Sequence, residues 1–204
     1  MLDIETQGAG DFATATLNAK AAGVESLAAN GRYHFVCRDR DGKFKWEELF
    51  DNQVVQAGKI LMMDTLLYTA SGYTLVGPYL GLIATATTYS PTDTMASHGG
   101  WTEFANYTVG GSAVRGTASF AAATGNNVTT AGSNIVTSAA SAITYTITGA
   151  GGVITGCFLV TGTGASSTIN STSGTLWSAG GFAVAKTTTA GDTVAVTYTT
   201  TATS

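Results

Sequence analysis

Charged residues are concentrated in the first third of this 204-residue chain. After residue 64, side chains of the Asp, Glu, Lys and Arg types occur only at Asp93, Glu103, Arg115, Lys186 and Asp192, in a background of Thr, Ala, Gly and Ser. Acid–base catalysis draws on carboxylates, imidazoles and amines, and a freely diffusing protein usually keeps solvating charge over its whole surface. This distribution therefore favours a β-rich packing or assembly protein over an enzyme.

The composition is that of a folded chain. Charged residues make up 11% of the sequence and hydrophobic residues 44%, whereas charged residues average roughly 25% in globular proteins. Disorder driven by charge is not expected from such a profile. The formal net charge of −4 comes without a basic stripe, which gives nucleic-acid binding little electrostatic support.

The sequence shows no pattern for secretion or for membrane insertion. It does not open on a basic segment followed by an apolar one. Its most apolar run, residues 60–68, is interrupted by Asp64 and is too short to cross a bilayer. We therefore expect synthesis in the cytoplasm and no membrane partner.

The chain divides into an arm and one domain. Residues 1–30 have no sustained period of 3.6 or 2, which predicts an extended or partly helical N-terminal arm that orders only when something binds it. Residues 31–204 are predicted to form a single domain, since this length is enough for one core.

Two elements are predicted at the start of that domain. Residues 32–37 and 43–46 alternate as strands, and Asp41-Gly42 supplies a turn between them, which predicts a β-hairpin. Asn52 is a suitable N-cap for a helix over residues 53–68, whose apolar residues fall near helical spacing.

Beyond Ser71 short runs of Val, Ile, Thr, Tyr and Phe alternate with glycine-rich breaks. The predicted strands are 79–85, 101–108, 116–121, 142–148, 153–161, 175–177 with 182–185, and 193–200. Strands and breaks at this spacing are typical of a sandwich or barrel. The predicted fold class is therefore mainly β, an antiparallel jelly-roll-like β-sandwich with one helix.

Neither the cysteines nor the glycines indicate a cofactor or metal site. Cys37 and Cys157 lie in apolar alternating runs, which favours buried reduced thiols, and a disulfide between them has no support. Two cysteines alone do not make a zinc site. The glycines of residues 149–152 precede no helix, so they lack the context of a phosphate-binding loop. No cofactor is expected.

The segment from Asp93 to Glu103 is the one place where catalytic residue types gather. Ser97, His98 and Asp93 could be proposed as nucleophile, base and orienting acid. Adjacent side chains of an extended chain point to opposite faces, however, and no Gly-x-Ser-x-Gly elbow is present. We therefore predict a hydrogen-bonded structural loop, carried by Asp93, His98, Trp101 and Glu103, and no catalytic residue.

The basic residues near the hairpin alternate with acids, so they form either a solvated surface or a specific docking patch. These residues are Arg38, Arg40, Lys43 and Lys45. Trp46, Trp101 and Trp177 lie among apolar neighbours, which favours core or interface anchoring over stacking on a sugar.

Several of these segments together resemble a family of tailed-bacteriophage virion proteins, over roughly residues 31–200. They are GRYHFVCRD (residues 31–39), GPYLGLI (77–83), DTMASHGGWTE (93–103), GCFLV (156–160) and GDTVAVTY (191–198). Within that family the chain is most similar to capsid cement or decoration proteins. The resemblance implies a structural role on the particle, and no catalytic residue transfers.

The resemblance implies that the protein binds the outer capsid surface of the virion. The expected partners are the major capsid protein and copies of the same chain, with a trimer suggested because a threefold lattice point suits a bridging protein. The expected capsid contacts are Asp3, Ile4, Phe12, Arg38, Arg40, Lys43 and Lys45. The alternatives are a tail-fibre or receptor-binding module that holds a glycan, and a hydrolase centred on His98.

Overall fold

The computed structural model describes residues 28–68, 74–86, 88–121, 124–126, 134–138 and 141–203. Within these ranges the protein is mainly β, with one helix and an antiparallel, curled sheet that forms a half-barrel. The sheet contains twelve strands. The elements are β1 (Ala28–Arg38), β2 (Phe44–Val54), α1 (Gln56–Leu67), β3 (Tyr79–Ala86), β4 (Trp101–Glu103), β5 (Tyr107–Thr108), β6 (Gly116–Thr117), β7 (Thr124–Asn126), β8 (Asn134–Ser138), β9 (Ile143–Ile147), β10 (Gly152–Thr161), β11 (Thr175–Thr188) and β12 (Thr193–Thr203).

The strands follow the order β4-β3-β10-β11-β2-β1-β12-β8-β7 across the sheet. Strand β6 also pairs with β3, β9 pairs with β12, and β5 pairs with β9. The prediction of a mainly β, antiparallel fold with one helix is confirmed, whereas the jelly-roll order stays a prediction.

The predicted hairpin is present and longer than expected. Strands β1 and β2 pair from Gly31↔Asn52 to Arg38↔Phe44. Gly42 in the connecting turn has a φ of +82°, a left-handed conformation that glycine adopts without steric cost. Because residues 28–30 belong to β1, only residues 1–27 of the predicted arm lie outside the described ranges, together with the predicted contacts at Asp3, Ile4 and Phe12.

The main core lies between two halves of the curled sheet, one that includes β1, β9 and β12 and one that includes β3 and β10. The fully buried rings of Tyr33 from β1, Tyr145 from β9 and Tyr198 from β12 pack with Leu80 of β3 and Cys157 of β10. The Tyr145 hydroxyl donates a 2.7 Å hydrogen bond to the carbonyl oxygen of Leu80, from one half to the other. Burying these side chains is the main source of stability in such a fold.

A second core cluster covers the opposite face of β3 and β10. Ile83 and Phe158 are fully buried there against Met95, from the loop that precedes β4, and Trp101, the first residue of β4. The Trp101 and Phe158 ring centroids lie 5.0 Å apart. Strands covered on both faces read as continuous apolar runs, and this explains the sequences of β3 and β10.

The helix starts later than predicted, and Asn52 is not its cap. Strand β2 continues to Val54, so Asn52 remains in the sheet and its side-chain amide donates to the Tyr198 hydroxyl at 3.2 Å. The N-cap residue is Val55, which makes no side-chain capping bond. Instead, the carbonyl oxygens of Trp177 and Pro91 accept hydrogen bonds from the backbone N–H groups of residues 55 and 56.

Three strand predictions also need correction. The predicted strand 101–108 is two strands, β4 and β5, and the predicted strand 116–121 is reduced to β6. The two segments 175–177 and 182–185 are one strand, β11, which runs through Gly180 and Gly181. At Gly180 a Cβ atom would lie 3.1 Å from atoms of Asn52 and Phe50, so glycine fits where β2 approaches closely.

Both cysteines are buried free thiols, as the sequence predicts. Burial raises the pKa of Cys37 to about 11, and Asp192 also raises it. Burial likewise raises the pKa of the Cys157 thiol well above its usual value.

Candidate interaction surfaces

The tip of the β1–β2 hairpin is a compact, charged turn. The Asp39 carboxylate accepts hydrogen bonds from the backbone N–H groups of Asp41 and Lys43, at 2.9 and 2.8 Å. Arg38 donates from Nη1 to the carbonyl oxygen of Gly42 at 3.1 Å. These bonds fix the backbone of the turn from which the charged side chains project.

Lys45, one of the predicted capsid contacts, is engaged within the molecule. Its Nζ donates to Asp192 Oδ2 at 2.5 Å and to Thr189 Oγ1 at 3.4 Å. Burial opposes ionisation of Asp192, but hydrogen bonds from Lys45 and Thr189 outweigh it and lower the pKa of the carboxyl group. Lys45 therefore ties the hairpin to the turn before β12, and its role as a capsid contact stays a prediction.

Arg40 and Lys43 remain exposed at the tip. Below them, the outer face of the hairpin carries one further ion pair and a histidine–carboxylate contact. Arg32 Nε lies 2.6 Å from Asp51 Oδ1, and His34 Nε2 lies 2.6 Å from Glu47 Oε1. The inner face is aromatic, with Trp46 and Phe50 packed against the core. The hairpin thus presents its charge outward and at its tip.

The loop before β4 is tied together by hydrogen bonds. Asp93 is 8% exposed, and its Oδ2 accepts from the Ser90 backbone N–H at 3.0 Å and from the Trp101 indole N–H at 3.3 Å. His98 stacks on Trp101 with ring centroids 3.7 Å apart. The His98 Nδ1–H donates to the Trp101 carbonyl oxygen at 3.2 Å.

Glu103 and Arg115 form a buried ion pair. Arg115 donates from Nε to Glu103 Oε1 at 2.8 Å and from Nη2 to Glu103 Oε2 at 2.7 Å. Its side chain is 0% exposed, and that of Glu103 is 4% exposed. The remaining guanidinium donors reach the carbonyl oxygens of Ser166 and Ser171. Such pairing offsets the cost of removing two charges from water.

The geometry does not assemble the conceivable triad of Asp93, His98 and Ser97. Asp93 Oδ2 accepts hydrogen bonds from Ser90 and Trp101, and its contacts do not include His98. Glu103 is a second carboxylate near His98, and both residues line a cleft of about 160 Å³. Both oxygens of Glu103 already accept hydrogen bonds from Arg115, and Oε2 also accepts one from the Asn170 backbone N–H at 2.7 Å.

The outer face of α1 is apolar and exposed. Ile60 is 52% exposed, Met63 46% and Leu67 73%. The opposite side of the helix packs on β11, where a Cβ atom at Gly58 would meet the backbone of Trp177. A contiguous exposed apolar patch of this kind marks an interaction surface.

A second apolar surface lies between α1 and the sheet. It is a groove of about 330 Å³ lined by Leu61, Met62, Thr65, Leu75, Pro78, Phe120, Leu159, Thr161, Trp177, Tyr198 and Thr200. The floor of the groove is fixed by the Tyr198 hydroxyl, which accepts from the Trp177 indole N–H at 3.1 Å. A separate, polar cleft of about 470 Å³ is lined by residues of β1, β2 and β12, among them Arg32, Asp51 and Thr199.

All five charged residues that follow position 64 make internal contacts. Asp93 bonds the Trp101 indole, Glu103 pairs with Arg115, Lys186 pairs with Glu48 at 2.9 Å, and Asp192 pairs with Lys45. Because these charges are used internally, the described surface outside the β1–β2 hairpin and α1 is hydroxyl-rich and apolar.

The sequence did not reveal the Glu103–Arg115 pair or the exposed face of α1. Arg115 belongs to no periodic pattern. A lone arginine in an almost uncharged, apolar region could still have indicated a buried ion pair, because charged residues are seldom fully buried without a partner. Among the described residues, no cluster of three or more His, Cys, Asp or Glu is placed to hold a metal ion. None of the described helical segments is long and apolar enough to span a membrane.

No protein-family model, curated protein or solved structure matches the chain.

Proposed function

We propose that the protein is a structural component of a bacteriophage virion, a head cement or decoration protein that binds the outer surface of the major capsid lattice. In this proposal it acts by bridging neighbouring capsid subunits and by associating with copies of itself. The curled sheet then corresponds to a sandwich of the jelly-roll type, which is supported by the core that its two halves share.

The observation that carries the proposal is the segregation of charge. Over the described parts of the chain, exposed charge without an ion-pair partner includes Arg40, Asp41 and Lys43 at the hairpin tip and Lys59 on α1. The five charged residues beyond position 64 are used internally. Weak mutual repulsion lets copies pack closely on a lattice, since net surface charge is what keeps proteins apart. A fixed, charged tip supplies orientation, because charged contacts set specificity and register more than affinity.

The hairpin tip has the rigidity that a docking element needs. The Lys45–Asp192 pair and the register of β1 with β12 join the tip to the body of the sheet. Pre-ordered groups lose less conformational entropy on binding than mobile ones. Residues 1–27 are proposed to add contacts to the same lattice, and many weak contacts repeated over a shell bind through avidity.

Removing the exposed cations Arg40 and Lys43 from the tip should weaken binding to the particle. In shells prepared without this protein, added wild-type chain is expected to bind and to raise the temperature at which the shells open. The Arg40→Gln/Lys43→Gln variant is expected to bind about tenfold more weakly, since each lost charged contact removes roughly 0.2–1 kcal/mol. Binding is measured by co-sedimentation at physiological salt.

The matched control is Thr144→Glu/Thr146→Glu, which changes the net charge by the same amount on the exposed side of β9. The control is expected to bind like the wild type. Equal binding by the tip variant and the wild type would contradict the assigned role of the hairpin, and no binding by the wild type would contradict the proposed function.

A further inference from the structure

The exposed face of α1 carries the spacing of a short coiled-coil seam. Gln56, Ile60, Met63 and Leu67 are separated by four, three and four residues, which is the a/d repeat that brings side chains onto one stripe. At about 100° per residue, Ile60, Met63 and Leu67 fall within an arc of roughly 60°. All four side chains are exposed, and the stripe lies on the side of the helix away from β11.

The two charged residues of the helix flank this stripe. With Ile60 at position a, Lys59 occupies position g and Asp64 occupies position e. Lys59 is exposed and Asp64 is half-buried. Among the described residues, neither side chain takes part in an ion pair. Side chains pair along one helix when they are three or four residues apart. Lys59 and Asp64 are five residues apart, so they do not pair with each other within one copy.

This arrangement selects a partner and a direction. In parallel coiled coils, g residues pair with e residues five positions further along the neighbouring helix. Two parallel copies of α1 therefore place Lys59 of one copy beside Asp64 of the next. Two antiparallel copies instead bring like flanks together, so that lysine faces lysine and aspartate faces aspartate.

We propose that α1 is the homo-oligomerisation element of this protein, and that copies associate through parallel α1 helices around a rotation axis along the helix. Ile60, Met63 and Leu67 form the buried seam, and Lys59 pairs with Asp64 of the neighbouring copy. Such a closed ring uses the same pair of surfaces on every copy. Stripe residues Ile60, Met63 and Leu67 would then form the surface through which copies associate in the proposed function. This inference rests on the proposed function for that self-association.

The test is a charge exchange in the full-length chain, with mass measured by sedimentation and light scattering from 5 to about 200 μM, a range that detects micromolar association. Wild-type protein is expected to form a discrete oligomer. Lys59→Glu and Asp64→Lys should each weaken association about tenfold, because each places like charges across the seam. The double variant Lys59→Glu/Asp64→Lys restores opposite charges and should recover association to within about threefold.

Two further variants separate loss of the α1 contact from unfolding and from the effect of an added surface charge. Met63→Lys places a charge in the seam and should leave a monomer whose circular dichroism is unchanged. Val184→Lys makes the same kind of change on β11, at an apolar residue that is 68% exposed, and should leave the oligomer intact.

Several results would overturn the proposal. A wild-type monomer throughout the concentration range would do so, as it would leave the stripe for another occupant such as the capsid or residues 1–27. Failure of the double variant to recover would exclude the parallel pairing. Because all measurements use the isolated chain, these results are independent of binding to shells, which tests the proposed function separately.

Discussion

Replacing Arg115 with alanine is expected to lower the free energy of unfolding by about 3–5 kcal/mol, the range for breaking a buried ion pair by removing one partner. Within the described ranges, the variant leaves the buried Glu103 carboxylate with the Asn170 backbone N–H as its only hydrogen-bond donor. It also leaves the carbonyl oxygens of Ser166 and Ser171 without their guanidinium partner. Urea unfolding followed by tryptophan fluorescence measures the change.

A double-mutant cycle with Glu103 isolates the ion pair from these other losses. Glu103→Ala alone should also be strongly destabilising, because it leaves the Arg115 charge buried. The double variant should cost less than the sum of the two single variants, by roughly 0.5–3 kcal/mol, as expected for residues in contact. Strict additivity, or a loss below about 1 kcal/mol for Arg115→Ala, would show that the pair is not buried and coupled as described.

Replacing Tyr145 with alanine is expected to cost about 3–5 kcal/mol, as for other large aromatic core residues. The ring is fully buried, and it packs edge-on against Tyr107 with centroids 4.9 Å apart. Its hydroxyl bonds Leu80 across the core. The substitution therefore removes a contact that joins the two halves of the curled sheet.

Two controls separate the contributions of the ring and the hydroxyl. Tyr145→Phe keeps the ring and should lose only about 0.5–1.5 kcal/mol, the net contribution of one hydrogen bond. Thr144→Ala changes the exposed neighbour and should stay within about 0.5 kcal/mol of the wild type. If Tyr145→Ala unfolds at the same urea concentration as Thr144→Ala, the two halves of the sheet do not share this core.

Local sequence patterns predicted the elements whose signals are local. The alternation of residues 32–37 and the Asp41-Gly42 turn predicted the hairpin, because register and turn type are set within a few residues. The helix start failed for a tertiary reason. Asn52 has the chemistry of a cap, but β2 pairs with β1 through this residue and continues to Val54.

The candidate surfaces were less predictable because they depend on distant residues. Lys45 appears free in the sequence, yet its partner Asp192 lies 147 positions away. Arg115 and Glu103 are brought together by β4 and the loop before β6, and no local period links them. The apolar residues of α1 predicted a helix, but only the packing of Gly58 on Trp177 determines which side faces outward.

The number of copies of this chain in purified virions tests the central claim most directly. A protein that covers a capsid lattice is expected at hundreds of copies per particle, in fixed ratio to the major capsid protein when stained gels are compared by densitometry. A few to a few dozen copies would favour the tail-fibre or receptor-binding alternative. Complete absence from mature particles would contradict a structural role in the virion.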